Sequence, residues 1–307
     1  VTSRTADRDG LAYGAGAYLL WGLFPLYWPL LEPAGAIEIL AHRMIWSLVF
    51  VAILIAVRRQ WKSVRAAVAD RSTLWRLCLA AMFVSANWGI YIWGVNHHHV
   101  VETSLGYFIN PLLTILLGVV VLKESLRPAQ WTAVAIAAVA IVVLTLDYGR
   151  LPWIALALAF SFATYGFLKS RTSVGAIESL AIETGFLAVP ALVTLCVLAG
   201  QSTLTFAHHG AGQAALLAGT GIVTAVPLLL FAAGARRLPL TVLGLLQYLT
   251  PVIQFAVGIG IRHEPLPAPR LAGFALVWIA LSILTFDALR TQRRQAAQFR
   301  AVEASTR

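Results

Sequence analysis

Charge is what this sequence has least of. Only 12% of its 307 residues are charged, against about 25% in an ordinary soluble domain, and that scarcity excludes a soluble catalytic domain. Cysteine is nearly absent too. Cys78 and Cys196 both fall inside apolar runs, so neither a disulfide framework nor a CxxC metal site is available. No GxxxxGK(S/T) loop occurs, which excludes an ATP-driven pump within this one chain. No HExxH or similar spacing accompanies His97-His98-His99. Three consecutive helical residues fan apart, so this run reads as an exposed turn. No catalytic group, metal site or cofactor is expected, and the chain does not read as an enzyme.

What fills the space is apolar: 59% of residues, with a mean hydropathy of +0.79. Apolar runs lie near 11–31, 37–57, 73–95, 101–122, 129–147, 151–169, 178–199, 213–233, 239–261 and 270–288. Each is about 20 residues, enough to cross a ~30 Å hydrocarbon core. The expectation is an all-α polytopic membrane protein of ten transmembrane helices. The first run is too long and too aromatic for a signal peptide and reads as a permanent helix.

The net charge of +10 would suggest nucleic acid in a soluble protein. Here it reads as a sidedness label. With both termini cytoplasmic, the inner segments hold Arg4, Arg8, Arg58, Arg59, Lys62, Arg65, Arg71, Arg76, Lys123, Arg127, Lys169, Arg171, Arg236, Arg237, Arg290, Arg293, Arg294, Arg300 and Arg307, which is 19 of the 23 basic residues. Arg150, Arg262 and Arg270 fall outside and Arg43 lies within a span. That bias fits the positive-inside rule, a plasma (inner) membrane location and no nucleic-acid partner. Trp28, Trp61, Trp75, Trp93, Trp131 and Trp153 sit near span ends and read as interfacial anchors.

Sliding the sequence by 140 residues lays Pro111 on Pro251, Gly118 on Gly258, Glu124 on Glu264, Thr145 on Thr285, Asp147 on Asp287, Gly94 on Gly234 and Glu38 on Glu178. Each half holds five spans, an odd number, so the second half enters the membrane from the opposite side. The organisation expected is a first repeat at 1–150, a second, inverted repeat at 151–290, and a cytoplasmic basic tail at 291–307. Inverted repeats are a recurring build of secondary transporters.

Three stretches carry a family resemblance: His42-Arg43-Met44-Ile45-Trp46-Ser47; Asn87-Trp88 through Tyr91-Ile92-Trp93-Gly94-Val95-Asn96; and Glu102-Thr103-Ser104-Leu105-Gly106-Tyr107-Phe108-Ile109-Asn110-Pro111-Leu112, followed by Lys123-Glu124. Across essentially all ten spans the chain resembles RarD-type members of the EamA (drug/metabolite transporter) superfamily. The resemblance implies a ten-helix plasma-membrane exporter, with family members linked to chloramphenicol sensitivity. The histidine run departs from the family pattern.

The residues themselves suggest where a solute would bind. Pro111 and Pro251 withhold the backbone bonds that the carbonyls of Tyr107 and Gln247 would accept, and freed carbonyls are tolerated where they line a cavity; a packing kink is the plain alternative. Asn87, Asn110, Gln247 and Tyr248 are polar inside spans and face the bundle interior, as solute contacts or as interhelical bonds. Trp21, Trp88 and Tyr91 would give an aromatic lining. Tyr107 completes this candidate cavity.

Arg43 and Glu183 are the charges deepest inside spans, and such groups are functional hypotheses by default. The offset makes them equivalent, but the inversion separates them in depth by roughly 12 Å. Glu102, or Glu38, is the better expected partner for Arg43, and Lys169 for Glu183. Either these are latches opening alternately on the two sides or they are static ion pairs. Energy coupling is left open, and Glu183 is the candidate carboxylate if transport is coupled to a proton. The expected activity is outward movement of a small organic solute by alternating access. A sugar-phosphate or nucleotide-sugar exchanger, which needs several intramembrane cations, a membrane-embedded enzyme and a non-transporting scaffold are the alternatives. The lipid bilayer and the solute are the expected partners, and a homodimer is left open.

Overall fold

A computed structural model describes residues 8–305 apart from 124, 236 and 239. Arg4, Glu124, Arg236 and Arg307, and the side chains of Arg294 and Arg300, lie outside the described residues. The chain forms α1 (Arg8–Gly22), α2 (Phe24–Tyr27), α3 (Ala36–Arg58), α4 (Trp61–Ala69), α5 (Arg71–Asn96), α6 (Val100–Leu122), α7 (Pro128–Tyr148), α8 (Trp153–Ser170), α9 (Ala176–Gly200), α10 (Gly210–Ala235), α11 (Leu240–Leu246), α12 (Leu249–Gly260) and α13 (Ala268–Ser305), with a 3-10 turn at Trp28–Leu31. No strand occurs among the described residues.

Nine helices among the described residues are long and apolar enough to cross a membrane, α11 with α12 counting as one over Val242–Gly260. The architecture is that of an all-α polytopic membrane protein. The first apolar run is not among the nine, because it is divided. Pro25 opens α2 and Pro29 opens the 3-10 turn, and neither has the N–H that would continue the preceding helix. The Trp21 carbonyl, which Pro25 cannot bond, accepts instead from Gln254 Nε2 at 3.2 Å, a buried side chain of α12.

The two prolines expected to break their spans alike behave differently. α6 runs unbroken through Pro111. The ninth span is interrupted by a turn at Gln247 and Tyr248, and Pro251 is the third residue of α12, in the first turn where backbone N–H groups lack helical partners anyway. Two further features depart from the expected runs. α13 continues through most of the basic tail. The loop after α3 folds as α4, a short amphipathic helix with no buried residue. Asp70 then caps α5, accepting from Ser72 N at 3.0 Å and Thr73 Oγ1 at 2.6 Å. The Thr73 hydroxyl is the main cause holding that carboxyl below its usual range.

The halves are interleaved, and their contacts come in pairs related by the same 140-residue offset. α1 packs on α10 and α8 on α5; α3 meets α9, α6 meets α12 and α7 meets α13. A Cβ on Gly234 would lie 3.0 Å from the Gly14 backbone nitrogen, and one on Gly94 would lie 3.6 Å from Ile154 Cγ2. Gly94 and Gly234 are offset mates, and so are Gly14 and Ile154. Without a hydrophobic drive between helices in lipid, this close backbone approach supplies cohesion. The fifth helices are tied in the same way: Arg270 Nε meets Asp147 Oδ2 at 2.8 Å, and Arg127 Nη2 meets Asp287 Oδ2 at 2.6 Å.

Candidate functional site

The site is built around Arg43, seven residues into α3. Its side chain is 2% exposed, and among the described residues it makes no ion pair with an acid. Nε donates to Thr224 Oγ1 of α10 at 2.8 Å. The guanidinium carbon lies 3.7 Å from the centroid of Trp88, 5.1 Å from that of Trp28 and 5.7 Å from that of Phe24. A desolvated cation–π contact contributes about 2 kcal/mol, which offsets only part of the several kcal/mol that burying the charge costs. Nη1 is buried with no hydrogen-bond partner, as are Tyr91 Oη and Trp28 Nε1. Trp28 is therefore not an interfacial anchor; the breaks at Pro25 and Pro29 turn it inward over Arg43.

Beside this box stands a polar knot. Asn87 is fully buried; its Nδ2 donates to the Leu158 carbonyl at 2.9 Å and to Ser161 Oγ at 3.0 Å, and its Oδ1 accepts from Tyr107 Oη at 3.2 Å. Tyr107 stands edge-on to Tyr91, with centroids 5.6 Å apart. So Arg43, Asn87, Trp88, Tyr91 and Tyr107 come together. Trp21 stands at the edge of this group, packed against the cluster that holds Phe24, Trp28 and Tyr91 and also against Tyr18 and Phe231 at 5.5 and 5.8 Å. Tyr248 packs against the cluster of α6, α7 and α13. Gln247 forms the turn before α12, and buried Pro251 follows it. Asn110, next to Pro111, leaves Oδ1 buried without a partner.

The expected pairing of Arg43 with Glu102 or Glu38 is absent. Glu102 sits in the first turn of α6 and is taken by Arg150, whose Nη2 lies 2.7 Å from Oε2. It also accepts from Ile154 N at 3.2 Å, at the start of α8. Its hydrogen bond is the main cause holding the Arg150 guanidinium above its usual value. Glu38 instead holds the 205–206 loop, accepting from Thr205 N at 2.9 Å and Phe206 N at 3.0 Å. Lys169 and Glu183 do meet: Nζ lies 3.1 Å from Oε1, while Ser179 Oγ donates to the same oxygen at 2.6 Å. Tyr165 Oη accepts from Lys169 at 2.5 Å and reaches Glu183 Oε2 at 3.4 Å.

α8 is the ruler for this arrangement. Ile154, near its start, touches Glu102; Leu158 and Ser161 touch Asn87; Lys169, near its end, touches Glu183. At 1.5 Å per residue, Leu158 and Ser161 of the polar knot stand about 6 and 10 Å from Ile154 and about 16 and 12 Å from Lys169.

Comparison with known proteins gives this arrangement its setting. The model of the EamA-like transporter family matches residues 9–146. Protein RarD of Streptomyces exfoliatus is 56% identical over 295 residues, 96% of this chain and 94% of that protein. The chain is a RarD-type member of the EamA family. An uncharacterized transporter of Bacillus subtilis, YojE, is 43% identical over 93% of this chain and 96% of its own length. A solved crystal structure shares the fold, with a TM-score of 0.58 at 18% identity over 92% of this chain and 99% of that one. As an EamA-family protein the chain is a multi-pass membrane transporter.

Within that family setting, several residues of the site escaped the sequence reading. Phe24 was signalled, since it recurs with Trp21 and Trp28 at helical spacing on one face of the first run, whereas Thr224 carries no signal, a Thr inside a span being ordinary. Gln254 had a usable one, being a polar residue in the middle of an apolar run. Glu264, matched to Glu124 by the offset, accepts from Val100 N at 2.6 Å and Val101 N at 2.8 Å, capping α6 where the helix dipole favours a carboxylate.

Proposed function

We propose that this transporter moves a small organic solute outward by alternating access across the plasma membrane, with both termini cytoplasmic. The broken first run, α1 with α2 and the 3-10 turn, serves as a tenth span, and the two five-span halves are inverted repeats. The observation that carries the reading is the spacing along α8. An aromatic and polar centre lies between two charged contacts, Glu102–Arg150 toward the outer face and Lys169–Glu183 toward the inner face. Closing one while opening the other would expose the centre to each side in turn. Glu183 is the carboxylate proposed to carry a proton if transport is coupled to one. The solute and the lipid bilayer are the proposed partners, and a homodimer is compatible with this reading.

The test compares solutes released into the medium by cells overproducing the chain with those released by cells producing Lys169→Met. Uptake of the same solutes into inside-out vesicles is then measured. At least one small organic solute should accumulate outside with the unmodified chain and fall back in the variant. Identical media together with no vesicle uptake would overturn the proposal. Uptake that ignores a pH gradient and survives Glu183→Gln would remove the proton.

A further inference from the structure

Arg43 is an expensive residue in its place. A guanidinium offers five N–H donors in one plane, and inside a membrane span each unmet donor carries a penalty. Here Nε is met by Thr224 and one face is covered by Trp88, yet Nη1 is buried and unmet. Two more buried donors of the same box, Tyr91 Oη and Trp28 Nε1, are also unmet. Tyr91 and Tyr107 lie within electrostatic reach of the guanidinium. Among the described residues, three donors thus lack acceptors and one charge lacks an acidic partner, all on neighbouring side chains packed with aromatic rings.

The buried carboxylates among the described residues are treated differently. Glu38, Glu102, Glu183 and Glu264 each have two or more hydrogen-bond or ion-pair contacts. The fold has the means to satisfy a buried charge and leaves Arg43 short.

We infer that the Arg43 box is a binding site for an organic monoanion, its acid group accepting from Arg43 Nη1 and Tyr91 Oη while its apolar body lies among Phe24, Trp28 and Trp88. The assignment rests on the transport reading above and names the class of solute. The planar guanidinium matches the two oxygens of a carboxylate. The aromatic walls match an apolar body, but their faces are already taken by the Arg43 guanidinium, whose buried positive charge repels an ammonium, so a simple carboxylate fits better than a zwitterion. The direction agrees as well: a membrane potential negative inside drives an anion outward without any coupling ion.

The experiment measures binding to the purified full chain by thermal stabilisation and calorimetry. The probes are benzoate, 3-phenylpropionate and 4-methylpentanoate, each against its primary amide, with phenylalanine as the zwitterion. The acids should raise the melting temperature and the amides should not, because only a ligand held by the native state stabilises it. Arg43→Gln should weaken acid binding roughly tenfold to a hundredfold, the range for hydrogen bonds to a charged group, and Arg43→Lys should restore part of it. The acid–amide contrast is read on the unmodified chain, so it holds whether or not Arg43→Gln folds.

Amides binding as well as acids, phenylalanine binding as well as 3-phenylpropionate, acids unaffected by Arg43→Gln, or no stabilisation by any acid in the millimolar range would each overturn the inference. Solute release into the medium decides the transport reading separately: amide binding with intact release sinks only the anion, whereas acid binding without release sinks only the transport.

Discussion

Arg43 and Glu183 occupy the same position in the two halves of the sequence, and the molecule treats them in opposite ways. Glu183 is met by Lys169 at 3.1 Å, by Ser179 at 2.6 Å and by Tyr165 at 3.4 Å. Arg43 has one hydrogen bond, three aromatic rings and an unmet nitrogen. The two sites arise from one ancestral-looking position, but only one is finished by the protein. The satisfied charge reads as a closure, part of what holds α8 to α9. The unsatisfied one reads as a place kept for something that arrives.

The largest effect should come from spoiling the finished site. Glu183→Ala leaves Lys169 uncompensated beside Tyr165. Breaking a buried pair costs about 3–5 kcal/mol, but the Lys169 side chain is 30% exposed, so water recovers part of that and about 2–3 kcal/mol is expected. Thermal melting of the purified chain measures it. The double variant Lys169→Met with Glu183→Met should recover most of the loss, since an apolar pair of similar volume needs no desolvation. Arg43→Met should lower the melting temperature far less than Glu183→Ala, because it removes a buried charge that has no acidic partner among the described residues. Equal losses at the two positions would erase the contrast on which the comparison rests.

The spans, their polarity and the offset between halves could be read in the sequence because each depends on residue type and spacing alone. Runs of about 20 apolar residues, basic loops on one side, and Asp147 with Asp287 are visible without coordinates. The charged contacts were harder, because they depend on which loop returns to which helix. Arg150 reaches Glu102 only because the short loop between α7 and α8 carries it there. Nothing in the spacing says that Glu38 will hold Thr205 and Phe206. Proline was misleading for a related reason. It removes one donor wherever it stands, but whether the helix breaks depends on its distance from a helix start: Pro251 lies within the first turn of α12, while Pro111 lies mid-helix in α6 and is bridged.

An intermediate effect should separate two carbonyls related by the same offset. The Tyr18 carbonyl of α1 accepts from Thr250 Oγ1 at 2.8 Å, and the Leu158 carbonyl of α8 accepts from Asn87 Nδ2 at 2.9 Å. The acceptors are equivalent and the donors are not. Thr250 is bound to that one carbonyl, whereas Asn87 also holds Ser161 and Tyr107. Thr250→Val should therefore cost about 1 kcal/mol and Asn87→Leu about 2 kcal/mol, since the latter strands several buried partners. Melting curves of the two variants provide the check, and Thr250→Val costing as much as Asn87→Leu would mean that the α1 side is as rigidly knotted as the α8 side.

The smallest effect concerns the two ion pairs that tie α7 to α13. They use offset-matched acids, Asp147 and Asp287, with arginines at the start of the opposite helix. Symmetry would make them equal, but exposure does not. At the Asp147 pair the side chains are 15% and 7% exposed, and Arg270 is also held by the Pro265 carbonyl at 2.7 Å. At the Asp287 pair they are 42% and 16% exposed, so the Arg127 guanidinium keeps much of its hydration. Asp147→Asn should cost about 1–2 kcal/mol, between the surface and buried limits, and Asp287→Asn under about 1 kcal/mol. Raising the salt concentration should shrink the loss at Asp287 more than the loss at Asp147, because screening acts on the more exposed pair. If the salt dependence ran the other way, the Asp147 end of the α7–α13 contact would be the hydrated one, and the two halves would differ in the opposite sense.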